Sequence, residues 1–514
     1  MISRVRTLWR KGDRNERGAI LVVTALMTVV MIGMAAFSVD LGWLFYRATE
    51  TKKAAEAAAI AAVVHMPDTA EPMASGTVLM SGDAVDAANA IAAEHGQSVT
   101  QIRRWSSAAQ IRVDMTDTVP TFFMTLFGID TVTFDRYAIA EQLPPLKLGS
   151  DTYYLGSQPN GGGSSLNIDE HYWLALNGER RQKEDGDPFS TRCTTANHDQ
   201  QTCQGSNPNF RDPAYYYAVD VDSSAVGQSV RVWLFDAPQY ESGNNLPQDT
   251  GATAGSSSID DVVHFDLYRP DATPGDPTDN SASISGCDEN YGTGHPGADS
   301  WNLLCQFTPT STGIHVLAIR ITGDDTAISA FSMGITNAGN TPRSDVSIYG
   351  LGFMSLWMRD VGSTPSFKIV KLEEIYAGTE LVISVFDPGD ITGNAFGTLT
   401  FVGEPGIENL ECKVRVSNHA GTPTTGWIND DGTGSGGEQC YLITKNGNSG
   451  GNQGIYNNQW VEFAFQVPSD YTCTSCWINV NYAFSSGNPT DRTTWGARIN
   501  GTPIHLLPDS TPSG

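Results

Sequence analysis

The sequence predicts a chain that is part α+β and part all-β: an N-terminal transmembrane helix with a helical stalk, a small α+β membrane-proximal domain, then two related antiparallel β-sandwich modules. Three observations carry this. A single apolar run near the N-terminus is long enough to cross a bilayer. Helical periodicity continues beyond it and fades by about residue 145. From there, short alternating segments separated by Gly, Asn, Asp and Pro take over, and one motif recurs a domain's length later.

The apolar run is the 29 residues between Arg17 and Arg47, GAILVVTALMTVVMIGMAAFSVDLGWLFY, whose one charge is Asp40. As a helix it spans roughly 43 Å, a bilayer with its headgroups. Residues 1–17 carry six basic side chains, whereas only Arg47, Lys52 and Lys53 follow closely. This asymmetry predicts a cytoplasmic tail, a single-pass helix over 18–46 and an extracytoplasmic remainder in the cell membrane. A cleaved signal peptide is the rival reading, with small residues at Ala36 and Ser38, but the preceding apolar run exceeds the usual length. Asp40 lies roughly 34 Å along the helix from Arg17, beside Trp43 and Tyr46, which reads as an interfacial carboxylate rather than an intramembrane functional one.

RATETKKAAEAAAIAAVV then has high helix propensity and no breaker before Pro67, so the helix is expected to continue as a stalk whose alanine face suits close packing on another helix. Glu16-Arg17-Gly18, the apolar run, Val39-Asp40-Leu41-Gly42 and the Ala54-Ala55-Glu56-Ala57-Ala58-Ala59-Ile60-Ala61-Ala62 segment together resemble the N-terminal region of TadG-like proteins, associated with Tad (Flp-type) pilus assembly. The resemblance implies a pilus-related membrane component with Arg17, Gly18, Asp40, Gly42, Ala54, Ala55, Glu56, Ala57 and Ala58 as its anchor residues. Glu56 stands where that family more usually has aspartate. Val23 occupies the place of the glutamate of many pilin-type precursors, so prepilin-type processing after Gly18 is not expected. A von Willebrand A-type module follows in many relatives, but no DxSxS run occurs near residue 150 here. The resemblance covers about the first 145 residues.

Within 47–145, DAVDAANAIAAEH (83–95) has helical spacing, while AQIRVDM (109–115) and DTVTFDRYAIAEQL (130–143) alternate as strands. Pro144-Pro145 and a Gly/Ser/Asn tract mark the boundary with the β region, divided here into 146–346 and 347–514. VGQSVRVWLFDAP (226–238) and AGTELVISVFDPG (377–389) share the pattern x-G-x-x-h-x-h-x-h-F-D at an offset of 151 residues. Val230, Val232, Leu234 and Leu381, Ile383, Val385 are therefore expected in the core.

The formal net charge of −26 argues against a nucleic-acid partner. The even count of eight cysteines, Cys193, Cys203, Cys287, Cys305, Cys412, Cys440, Cys473 and Cys476, suggests disulfides and an oxidising compartment. Sequence proximity pairs 193 with 203, 287 with 305, 412 with 440 and 473 with 476, although eight cysteines admit about 105 pairings. Cys473-Thr474-Ser475-Cys476 reads as a local disulfide at a turn, since a second CxxC is lacking for a zinc site and a helix is lacking for a redox motif.

No catalytic residue is expected. Gly447-Asn448-Ser449-Gly450-Gly451 fits G-x-S-x-G, but it sits in a Gly/Asn loop without a strand-to-helix elbow. Asp169-Glu170 and Glu373-Glu374 are adjacent, so on a strand each pair points to opposite faces and cannot form an acid/base couple. No cofactor is expected. Calcium is the one ion to which acidic loops such as Asp185-Gly186-Asp187 and 271–279 offer oxygens, without EF-hand spacing. The aromatic runs His171-Tyr172-Trp173 and Tyr215-Tyr216-Tyr217 suit a sandwich core or a stacking surface for sugars. The partners these readings imply are lipid bilayer, pilin or Tad-system membrane proteins along the helix, and a surface glycan or protein at the β modules; a surface adhesin is the alternative role and a hydrolase the third.

Overall fold

The computed structural model describes residues 13–66, 76–105, 109–157, 172–179, 186–191, 207–235, 261–291, 301–323, 328–359, 365–387, 389, 391, 396–403, 412–418, 421–429, 440–445, 459–485, 489–501 and 503–507. Two compact units emerge: the described residues within 13–66, 76–142 and 504–507 form one, and those within 143–503 form the other.

The first unit is built on α1 (Asp13–Val63), 51 residues without interruption. Its stretch from Ile20 to Tyr46 leaves nearly all large apolar side chains exposed, with Leu21, Leu26 and Val29 each above 60 %. The helix is long and apolar enough to cross a membrane. After Tyr46 its character changes. Ala54, Ala55, Ala58, Ala59 and Ala62 are fully buried, and their small side chains pack against Ala84, Ala88 and Ala92 of α2 (Asp83–Glu94) and against Ile111, Val113, Met115, Ala138 and Ala140 of a sheet. The stalk is thus the spine of the α+β unit. The other helix on its alanine face is the chain's own α2, so that face is already occupied.

The sheet comprises β1 (Val99–Arg104), β2 (Gln110–Pro120), β3 (Thr131–Gln142) and a C-terminal strand, Ile504–Leu506, all antiparallel and in that order. The chain therefore leaves this unit after β3 and returns to its edge 361 residues of intervening sequence later, between Gln142 and Ile504.

The second unit is two antiparallel sheets with one continuous core between them. One sheet runs Ser283–Tyr291, Val262–Tyr268, Gly313–Thr322, Tyr215–Val221, Val346–Leu351, Lys147–Leu148, Ser366–Lys371, Trp477–Phe484, Phe396–Val402, Tyr441–Lys445. The other runs Trp301–Phe307, Val230–Phe235, Ile328–Thr336, Tyr172–Asn177, Phe353–Arg359, Thr490–Asn500, Glu380–Asp387, Gln459–Gln466, Cys412–Ser417, Ile428–Asn429.

The duplicated motif has a duplicated structure. Strands beginning at Tyr215 and Ser366, and the single 3-10 turns beginning at Ser223 and Glu374, keep the offset of the sequence repeat. Each turn leads into a glycine with positive φ, Gly227 at 75° and Gly378 at 79°, whose N–H donates to Pro309 O and Pro468 O respectively. A side chain there would be strained, which explains the glycine in both copies. Val230, Val232, Leu234, Leu381, Ile383 and Val385 all lie in the core at 0 % exposure. The two copies share both sheets: Tyr172–Asn177 pairs directly with Phe353–Arg359, and Lys147–Leu148 bridges Val346–Leu351 to Ser366–Lys371.

Disulfides join Cys287 to Cys305, Cys412 to Cys440 and Cys473 to Cys476. The first links strands at one edge of the two sheets, and the second links them near the opposite edge. Cys193 and Cys203 lie outside the described residues.

Candidate functional site

Among the described residues, two places combine buried polar groups with side chains open to a partner, one in each unit. In the first unit, the β2–β3 hairpin lies along α1. Lys52 Nζ donates to Tyr137 O at 2.8 Å, and one α-helical stretch earlier Arg47 donates to Asp117 at 2.9 Å, where Thr51 Oγ1 also reaches at 3.3 Å. At the tip, the Asp40 carboxylate is fully shielded and accepts three consecutive backbone N–H groups: Phe122 and Phe123 at 2.8 Å and Met124 at 2.6 Å. These amides open a 3-10 turn, Met124–Phe127, so the carboxylate caps the turn as an acid caps a helix. Asp40 is thus a structural clamp at the level read as interfacial. In the sequence, Val119, Phe122, Phe123, Leu126 and Phe127 of the VPTFFMTLFGID segment (119–130) fall at helical spacing, a pattern that does not announce a distant carboxylate partner.

Among the other anchor residues, Gly18 lies in α1 and Gly42 has open space where a Cβ would project. Ala54, Ala55 and Ala58 are core, Ala57 is half-buried, and Glu56 is 3.7 Å from Lys52. Nothing is described of the Arg17 side chain.

In the second unit, five adjacent strands place Arg415, Glu462, Ser384, Gly496 and Phe353 in one row on the same sheet face. A Cβ on Gly496 would come within 2.3 Å of the Phe353 ring, so the glycine lets that ring lie across the sheet. A cleft of about 230 Å³ opens over this row, lined also by Phe189, Arg211, Trp460 and Arg498. Phe189 and Phe353 meet edge to face at 4.8 Å, and Trp460 lies within 5.8 Å of both. The Arg211 guanidinium sits over the rings of Phe189 and Phe353, 4.2 and 5.0 Å from their centroids. Glu462 holds two guanidiniums: Arg415 Nε donates to Oε2 at 2.6 Å and Arg498 Nη2 to Oε1 at 2.9 Å. Three arginines against one carboxylate make the lining cationic on a chain of charge −26.

Asp187 positions Phe189, which lines this cleft. It is buried and accepts the N–H groups of Asn177 (2.9 Å), Phe189 (3.1 Å) and Ser190 (3.0 Å), the Ser190 hydroxyl, and Tyr215 Oη (2.7 Å). Burial pushes its pKa up, and the donated hydrogen bonds partly offset this. Those bonds hold Phe189 against the sheet and engage the oxygens that the sequence offered to calcium. Asp185, Asp169, Glu170, His171 and Ser449 lie outside the described residues. In the 271–279 loop, Thr273 bridges Asp271 and Asp279, and Thr278 bonds Asp276. Among the described residues no three His, Cys, Asp or Glu side chains converge as a metal site would require. Glu373 precedes, as its N-cap, the 3-10 turn that Glu374 opens.

The aromatic runs are mostly core rather than stacking surface: Tyr172, Trp173, Tyr215 and Tyr217 are all nearly inaccessible, with Tyr216 half-buried on the opposite face. Of the rings that line the cleft, Phe353 is half-buried while Phe189 and Trp460 are buried, and the three come from segments with no shared sequence signature.

The anchor residues of the long helix are the part of the chain with a family match. Residues 18–65 match the Tad family model, putative Flp pilus-assembly TadE/G-like. The Tad segment thus covers the apolar stretch, the Asp40 clamp and the buried alanine face, and ends two residues beyond the end of α1. No curated protein matches the chain. Solved structures with some likeness include the CBM22-1–CBM22-2 tandem domain of Paenibacillus barcinonensis Xyn10C, with 10 % identity over 63 % of this chain and 97 % of that one, at a TM-score of 0.13. The M60 catalytic domain with CBM51-1 and CBM51-2 of Clostridium perfringens ZmpB shows 8 % identity over 76 % and 43 %, at 0.15. The infectious bursal disease virus Gx strain shows 13 % identity over 72 % and 82 %, at 0.11. TM-scores so low carry no argument about fold or ligand beyond the Tad segment.

Proposed function

We propose that this chain is a non-enzymatic, membrane-anchored component of the Tad/Flp pilus assembly apparatus, or of a system related to it, that displays its β-sandwich unit at the cell surface. The observation that carries this reading is the coincidence of the Tad match with a helix long and apolar enough to cross a membrane. Basic residues before that helix and disulfides after it support a cytoplasmic N-terminus and an extracytoplasmic body. The role is positional and needs no cofactor. Because the alanine face is filled by α2 and the sheet, the surface left for pilin or platform helices is the lipid-level stretch of α1, where small residues such as Gly33 and Gly42 allow close approach. Replacing residues 20–39 with an unrelated apolar helix of equal length should preserve membrane localisation and abolish piliation in the producing cell. Unchanged piliation, both in that variant and in cells lacking the whole chain, would rule the reading out.

A second reading, an adhesin or glycan-binding surface protein, is favoured by the cationic aromatic cleft. Aromatic faces suit the apolar faces of sugar rings, and guanidiniums bind carboxylates in bidentate fashion. Binding of the full chain to glycans on an array, lost in Arg211→Ala and retained in a piliation-defective α1 variant, would support it over the pilus role.

A further inference from the structure

The tip of the β2–β3 hairpin exposes a run of large apolar side chains: Phe122 at 56 %, Phe123 at 42 %, Leu126 at 82 %, Phe127 at 80 % and Ile129 at 41 %. Nothing else in the first unit outside the apolar stretch of α1 presents such a surface among the described residues. We propose that this tip is a second membrane contact, inserted into the headgroup and acyl boundary of the outer leaflet beside α1.

Three observations point to lipid as the occupant. The first is level. Asp40 binds the tip six residues before Tyr46, the end of the apolar run, so the tip reaches roughly 9 Å into that run. Counting 20 residues from Ile20, about 30 Å of helix, places Val39 at the outer limit of a hydrocarbon core and the tip at its edge. The second is continuity. Trp43 stacks on Tyr46 at 5.8 Å and touches Phe122 at 5.9 Å, so interfacial-type aromatics of the helix join the tip to the exposed apolar surface of α1.

The third is the backbone. A loop in water can leave its amides to solvent, whereas one entering a bilayer must satisfy them internally. Here Thr121 N donates to Asp130 O, the amides of 122, 123 and 124 go to Asp40, and those of Leu126, Gly128 and Ile129 go to Phe123, Thr125 and Met124 carbonyls. The hydroxyls of Thr121 and Thr125 are likewise turned onto backbone oxygens, those of Ile129 and Phe122. Exposed apolar side chains over a backbone most of whose amides are bonded within the protein are what a lipid-facing loop requires, and Gly128 at φ 80° closes the turn without a Cβ penalty. With the tip immersed, α1 cannot rotate freely about its axis, and the unit is held at a defined height.

This inference rests on the reading that α1 spans a membrane, so the test separates the two. An environment-sensitive fluorescent amino acid is placed at Phe127 or, as the helix control, at Met27 in the full chain, reconstituted in phosphatidylcholine and phosphatidylglycerol nanodiscs. Lipids spin-labelled at the headgroup, shallow acyl or deep acyl position serve as quenchers, with iodide as the aqueous one. The expected result is a Met27 probe quenched most by the deep label and a Phe127 probe quenched at least twofold more by the headgroup or shallow label than by the deep label or iodide. A lipid-quenched Met27 probe together with an iodide-quenched Phe127 probe overturns the inference and leaves the anchor standing. So does a Phe127 probe shielded from both lipid labels and iodide, which would mean that protein covers the tip. Absence of lipid quenching at both positions overturns the anchor reading and the inference together.

Discussion

At the scale of single residues, the informative groups are polar atoms removed from water. His315 sits in the Gly313–Thr322 strand at 1 % exposure beside Phe307, and burial pushes its pKa down to about 4. The unfolded chain, with an ordinary imidazole, takes up a proton as pH falls through 6.5 while the folded chain refuses it until about 4. The contribution of His315 to the stability of the second unit is therefore fully present above pH 6.5 and declines across that window, by roughly 3 kcal/mol in total. In urea titrations from pH 7 to 4, His315→Gln should flatten that slope whatever its effect at pH 7. Asp40 acts differently, by holding three amides. Asp40→Ala should raise hydrogen exchange at Phe122, Phe123 and Met124 at least tenfold with little change at Val113, measured in detergent or nanodiscs. The need for a carboxylate near Trp43 was legible in the sequence as an interfacial position, but its partners lie more than 80 residues away and no local pattern announces them.

At the scale of elements, edges are the vulnerable parts of an open sandwich, because their unpaired backbone invites other strands. Here covalent links work close to both ends. Cys287 and Cys305 join strands that end the two sheets on one side, and Cys412 and Cys440 tie the sheets on the other. With a separation of 18 residues, removal of the Cys287–Cys305 link in a double alanine variant should cost about 3 kcal/mol, read as a lower urea midpoint. The strands themselves were legible, since alternation of apolar and polar residues is local and the inward residues of both repeats lie where that alternation places them. Their order was not, because strand pairing depends on which edges can bury the most surface and satisfy the most backbone groups at once. The fusion of the two repeats into shared sheets, through the pairing of Trp357 with Trp173 and of Leu148 with Val370 and Gly350, is of this kind.

At the scale of the whole chain, the second unit is an insertion within the first. β3 ends at Gln142, directly opposite Ile504, and the N–H of Leu143 donates to Pro503 O at 2.8 Å, so the two crossings among the described residues lie side by side. Antiparallel neighbours this close can be joined by a two- to four-residue turn. A chain in which Gly-Asn-Gly replaces residues 143–503 should keep the fold of the first unit, seen as a cooperative melt and protected Ile111 and Val113 amides in detergent. Loss of cooperativity in that chain would show that the first unit depends on the insertion.

What the amino-acid sequence determines by itself here is whatever depends on neighbours in the chain: the apolar helix, its alanine-rich continuation, the alternation of strands and the recurrence of their motif. Side-chain hydrophobicity and backbone geometry set these at periods of 3.6 and 2 residues. Only the tertiary structure decided that Asp40 clamps a hairpin tip, that Arg415, Glu462, Ser384, Gly496 and Phe353 share one row, and that the last strand returns to the first sheet. Each of these joins residues far apart in the chain. Which distant groups meet is settled by burial and hydrogen bonding over the whole fold, and no short stretch of sequence contains that balance.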